Sequence, residues 1–100
     1  MLRKEREHEH LSPAEARAGR QINFAGVAIE VLEVNEAKPP KGLLGIPSTF
    51  TVCYRVRDNR QSPPFVSDKA HLFVNEGTNL IDEFRKVITH YEQIKSQLRS

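Results

Sequence analysis

Apolar and polar positions alternate most cleanly over "STFTVCYRVRD". Phe50, Val52, Tyr54 and Val56 fall on one parity, and Thr49, Thr51, Cys53, Arg55 and Arg57 on the other. A period of two marks a strand with one buried face, here leaving the opposite face polar and basic. Upstream, "QINFAGVAIEVLEVNE" is rich in β-branched residues, but its apolar parity switches from Ile22 and Phe24 to Val27, Ile29 and Val31. One extra residue swaps the faces of a strand, so the switch predicts a bulge at Ala25-Gly26. "RDNRQSPP" reads as a turn or short loop. "FVSDKAHLFV" follows as a third strand, with Ala70, Leu72 and Val74 on one face.

The period then changes. From Leu80 the apolar residues Leu80, Ile81, Phe84, Val87, Ile88, Tyr91, Ile94 and Leu98 recur at spacings of three and four, the stripe of an amphipathic helix. Thr78 or Asn79 stands where a cap belongs. Such a helix runs roughly 30 Å at about 1.5 Å per residue, long enough to lie across a small sheet. Phe50, Val52, Tyr54 and Val56 are expected to face Phe84, Val87, Tyr91 and Ile94. Near the N-terminus, "SPAEARAG" carries Ser12, Pro13 and Glu15 in capping-box order, with Gly19 as a stop. This predicts a short helix from about Pro13 to Ala18.

These elements make an α+β fold: a three-stranded antiparallel sheet packed on one long C-terminal helix, with a short N-terminal helix. Residues 1–11, charged and nearly without apolar anchors, read as a flexible tail, and 12–100 as a single domain. One sheet face is covered by the helix and the other is left open, as antiparallel sheets allow. An open sheet edge also leaves room for a homodimer through strand pairing.

One loop breaks the usual rule that loops are polar. "KPPKGLLGIP", residues 38–47, sets Leu43, Leu44 and Ile46 between prolines, with Lys38 and Lys41 beside them. Either these side chains fold back as a flap over one end of the core, or they form an apolar, base-rimmed contact for a partner. The sheet and helix already supply a core without them.

Composition narrows the field. A chain of 100 residues with 38% apolar and 28% charged residues suits one small globular domain, with little room for a substrate cleft. A single cysteine excludes an internal disulfide and fits a reducing, cytoplasmic compartment. No apolar run approaches the length of a bilayer span, and "LRKEREHEH" after Met1 lacks the apolar core of a secretory signal. The net charge of +2 is unevenly spread. Residues 21–37 hold Glu30, Glu33 and Glu36 and no base, whereas 38–69 set six bases against Asp58 and Asp68.

That basic segment carries the main alternative function. Arg55, Arg57, Arg60 and Lys69 on an open face could contact phosphates. Three strands followed by a helix, with a basic outer face, resembles the sheet-reading DNA-binding domains of tyrosine integrases. The double-stranded-RNA-binding domain has a similar order with a helix in front. That family's glycine- and lysine-rich helix start is replaced here by "GTNLIDEF", which carries acids. Against nucleic acid stands a simpler reading: Arg55 and Arg57 pair across strands with Glu30 and Glu33, at roughly 0.2–1 kcal/mol per pair.

Catalytic and metal chemistry find no support. Cys53 and His71 share the open face, but direct opposition would set Arg55 against Lys69. A shift by two residues puts Arg55 against Ser67 and leaves Cys53 diagonal to His71, a quiet strand cysteine. His8 and His10 lie in the tail without a third ligand, short of the four protein ligands of a structural zinc site. No phosphate-binding glycine loop opens a helix. The expectation is a non-enzymatic adaptor without a cofactor, acting on a larger protein through Leu43, Leu44, Ile46, Lys38 and Lys41. Nucleic-acid binding is the alternative.

Overall fold

The computed structural model describes residues 10–42 and 45–99. Five strands and one long helix follow a short N-terminal turn: β1 (Gln21–Phe24), β2 (Val27–Ala37), β3 (Thr49–Asp58), β4 (Phe65–Val66), β5 (Ala70–Asn75) and α1 (Leu80–Arg99). The α+β architecture and the long C-terminal helix stand as the sequence predicts. The sheet, however, has five strands rather than three. Its order is β1-β2-β3-β4, with β5 pairing β3 beside β4, and every pairing is antiparallel.

Both added strands come from splitting an expected one. At Ala25-Gly26 the chain does not bulge but reverses. Ala25 has φ 51° and Gly26 φ 94°, the two positive values of a type I′ turn. Phe24 then faces Val27, and Ile22 faces Ile29, so the parity switch is the signature of a two-residue hairpin. Further on, Phe65–Val66 and Ala70–Asn75 both pair β3, with Val66 opposite Arg57 and Ala70 opposite Tyr54. The intervening stretch holds one residue more than β3 does, and this breaks the strand. Ser67 bridges the gap: its N–H donates to the Val56 carbonyl at 2.9 Å, and its hydroxyl accepts the Val56 N–H at 2.9 Å. A true bulge lies at Leu32, where the β2–β3 register shifts between Val31 and Glu33.

The N-terminal helix shrinks to a 3-10 turn, Pro13–Glu15, with Ala16 already extended. The Glu15 carboxylate accepts the Ser12 N–H at 3.1 Å, as the capping pattern implies. A second turn has no room, because Gly19 and Arg20 are already bonded to Val31 of β2. Ahead of this turn, Leu11 is tied to the start of the long helix. Leu11 is buried in the core, its N–H donates to the Asn79 side chain, and its carbonyl accepts the Leu80 N–H.

Asn79 is the helix cap. Its Oδ1 accepts the Ile81 N–H at 3.1 Å and its carbonyl accepts the Glu83 N–H. From there Leu80, Ile81, Phe84 and Ile88 are buried against Val27, Ile29, Val31, Val52, Tyr54 and Val56. Phe84 meets Tyr54 edge-to-face at 5.3 Å between ring centroids. Val87 and Tyr91 pack at the margin of this core. Ile94, expected inside, is 43% exposed: by that turn the apolar stripe has left the sheet. The side chain of Leu98 lies outside the described residues.

Among the described residues, no helix is long and apolar enough to cross a membrane.

Candidate functional site

Three surfaces hold the residues that sequence reasoning singled out, and the structure treats each differently.

On the open face of the sheet, strand alternation projects Arg55 and Arg57 outward from β3 and Glu30 outward from β2. Glu30 stands opposite Arg55 and takes both arginines. Arg55 Nε donates to its Oε1 and Arg57 Nε to its Oε2, each at 2.7 Å, and Gln21 Nε2 adds a third bond at 3.0 Å. The bonds from Arg55 and then Arg57 hold the Glu30 carboxyl down at about 2. Glu33 joins neither arginine. The bulge at Leu32 moves it opposite Cys53, where it accepts a bond from Asn35 instead.

The two other bases of the expected nucleic-acid surface do not join this group. Lys69 is exposed in the break between β4 and β5. Arg60 turns away at the end of β3 and clamps Asp58 through Nε at 2.9 Å and Nη2 at 3.1 Å, while Nη2 also reaches Glu92 at 2.7 Å. The structure therefore gives Arg60 a different carboxylate from the one that holds Arg55 and Arg57, and Lys69 makes no bond to Glu30.

Asp58 is the residue that sequence reasoning missed. It lies on the core parity of β3 and is 0% exposed. Besides the Arg60 guanidinium, it accepts the Arg60 N–H (3.0 Å), Gln61 Nε2 (3.2 Å), the Tyr91 hydroxyl (2.7 Å) and Lys95 Nζ (3.1 Å). The Arg60 bonds hold its carboxyl well below the usual range despite burial. Burial, and then the bond to Asp58, push the Tyr91 hydroxyl up to about 12. A carboxylate offers about four lone-pair sites, so this one is saturated and has none left for a substrate proton. A shallow groove of about 400 Å³ runs beside it, lined by Phe24, Arg60, Arg85, Ile88, Thr89 and Glu92. Arg85 lies over the Phe24 ring, 5.6 Å from its centroid. The signal for the cluster was faint: an acid standing on the apolar parity of an otherwise regular strand.

Cys53 and His71 stand directly opposite, not diagonal. The expected penalty of Arg55 facing Lys69 never arises, because the break at residues 67–69 takes Lys69 out of the ladder. Cys53 is buried, and no hydrogen bond joins it to His71 among the described residues. No three His, Cys, Asp or Glu residues among them converge as a metal site would require.

The outer face is not wholly polar. Phe73, at the centre of β5 and opposite Thr51, is 76% exposed. The loop at residues 38–47 enters the sheet beside the same strand. The Ser48 N–H donates to the Glu76 carboxylate at 3.2 Å, and the Glu76 N–H to the Ser48 carbonyl at 3.0 Å. Within the loop, Ile46 is 50% exposed, and Lys38 and Lys41 are exposed. Leu43 and Leu44 lie outside the described residues.

Comparison with protein-family models, curated proteins and solved structures finds no match for this chain.

Proposed function

We propose that this chain is a small cytoplasmic adaptor without a reaction of its own, binding a larger protein through the open sheet face around Phe73 and the adjoining 38–47 loop. The observation that carries this reading is the exposure of Phe73. A phenylalanine at the centre of a strand, three-quarters in water, offers a protein contact a large aromatic anchor. Ile46, half exposed with Lys38 and Lys41 nearby, extends the same kind of surface. The main ionisable groups favour the same conclusion, since Asp58 and Glu30 spend their lone pairs on the fold. The single free cysteine is buried, which suits a reducing compartment.

Nucleic-acid binding ranks second on charge. Glu30 engages both Arg55 and Arg57, and Arg60 serves Asp58, so these three bases are already neutralised within the fold.

The test is capture from the native host, comparing the natural chain with Phe73→Ser and with the Leu43→Ser, Leu44→Ser pair at matched melting temperature. A partner retained by the natural chain and lost by either variant supports the adaptor. Equal capture by all three overturns it. Tight binding to mixed duplex or single strands that collapses with salt, and is abolished by Arg55→Ala with Arg57→Ala, installs the alternative.

A further inference from the structure

Strand β5 forms an open edge of the sheet. It pairs with β3 on one side, and among the described residues no element pairs with its other side. None of its six residues is buried, in contrast to the alternating burial of β3. Natural edge strands are usually protected by lysine, proline, a bulge or short length. Within Ala70–Asn75 the sequence "AHLFVN" has no charged residue and no proline, and its pairing with β3 is continuous after the break at residues 67–69.

The hydrogen-bond alternation shows what this edge offers. The Glu76 N–H points toward β3, onto the Ser48 carbonyl. Bonded and non-bonded positions alternate along an antiparallel strand. Val74, Leu72 and Ala70 therefore also turn their main-chain groups toward β3, and the N–H and C=O of His71 and Phe73 face outward. An occupant of this edge must itself be an extended strand.

We propose that the occupant is β5 of a second copy, paired antiparallel about a two-fold axis at Phe73. This rests on the reading of β5 and Phe73 as a protein-contact surface and adds self-pairing at the strand edge, leaving the 38–47 loop to the larger protein. Three observations select a second copy and this register. The outward main-chain groups of His71, Phe73 and Asn75 meet those of Asn75, Phe73 and His71 of the other copy, closing about six hydrogen bonds. Phe73 faces its own counterpart on the outer side, an aromatic cross-strand pair, while Leu72 faces Val74 on the core side and extends the apolar layer. The strand is flanked by Lys69 at one end and Glu76 at the other, so each copy's lysine end meets its partner's acidic end. Shifting the axis to Leu72 loses bonds and sets Asp68 against Glu76, acid against acid.

The experiment is sedimentation equilibrium of the full chain across micromolar concentrations, with two variants and one cross-link. The natural chain is expected to dimerise. Phe73→Glu, which places two carboxylates face to face, should weaken the dimer by roughly a hundredfold or more. His71→Pro removes a donor that faces away from β3, so it spares the β3–β5 ladder and should still abolish association. In a Cys53→Ala background, Phe73→Cys should oxidise to a covalent dimer and Asn75→Cys should not, since a disulfide requires Cα atoms within about 7 Å. A natural chain that stays monomeric throughout overturns the self-pairing. So does a dimer that survives both Phe73→Glu and His71→Pro in folded form. If such a monomer still captures a host protein through Phe73, the homodimer fails and the adaptor stands.

Discussion

Tyr91 donates its hydroxyl to Asp58 at 2.7 Å, joining the last residue of β3 to the helix across 33 positions of sequence. With Arg60 and Lys95 on the same carboxylate, this bond pins the second half of α1 after its apolar stripe has begun to leave the core. Asp58→Ala should lower unfolding free energy by about 2–3 kcal/mol, since it removes several bonds to a charged acceptor while the freed Arg60 and Lys95 are partly in water. Tyr91→Phe removes one bond to a charged acceptor and should cost about 1.5–2 kcal/mol. Urea titrations of both variants measure the difference.

Acid should unfold the protein in a defined window. Asp58 and Glu30 both have folded pKa values depressed below those of the unfolded chain, Glu30 at about 2. For such groups the stabilisation is complete above the unfolded value, near pH 4–4.5, and is lost as pH falls through the folded value. Stability should therefore be level from neutrality to about pH 5, begin to fall near pH 4.5 and still be falling at pH 2. Glu30→Gln should remove about 1 kcal/mol of that fall, since its arginine partners are a third exposed and screened by water. Unfolding free energy measured against pH for both chains checks the sign and the window.

The β1–β2 turn is coupled to the Asp58 cluster. A Cβ on Gly26, which has φ +94°, would sit 2.8 Å from Cγ of Arg60. Gly26→Ala therefore strains the backbone and also pushes Arg60 from its carboxylate, for a total of about 2–3 kcal/mol. In an Arg60→Ala background only the backbone strain remains. The double-mutant cycle should give a coupling of about 1 kcal/mol, and additive single effects would sink the idea.

The neighbouring residue offers the opposite change. Ala25 holds φ 51° without the tolerance that asparagine or glycine would bring. Ala25→Asn should stabilise the hairpin by about 0.5–1 kcal/mol, read as a higher melting temperature.

Two positions of the same helical stripe should behave differently. Phe84 is fully buried against Tyr54, and Phe84→Ala should cost about 3–5 kcal/mol. Ile94 has left the core, and Ile94→Ala should stay within about 0.5 kcal/mol. Denaturation midpoints of the pair locate the end of the packed helix.

Wherever a residue's place follows from its near neighbours, the chain could be read directly. The alternation of Phe50, Val52, Tyr54 and Val56 placed β3, and the three-and-four spacing from Leu80 to Tyr91 placed α1. Ser12 and Glu15 marked their cap, because each contact spans only a few residues. Pairing of Arg55 and Arg57 with Glu30 was legible too, since neighbouring strands bring opposite charges face to face. The parity switch at Ala25-Gly26 was visible but ambiguous, as a bulge and a two-residue reversal leave the same trace. Only the positive φ of both residues separates them. Tertiary structure alone decided that the break at residues 67–69 removes Lys69 from the ladder and sets Cys53 opposite His71. It alone placed Asp58 in the core, where donors from Tyr91 and Lys95, more than thirty residues away, hold its charge. The parity of Asp58 hints at its burial but not at its partners, because the energy of a buried carboxylate depends on which distant groups the fold delivers to it.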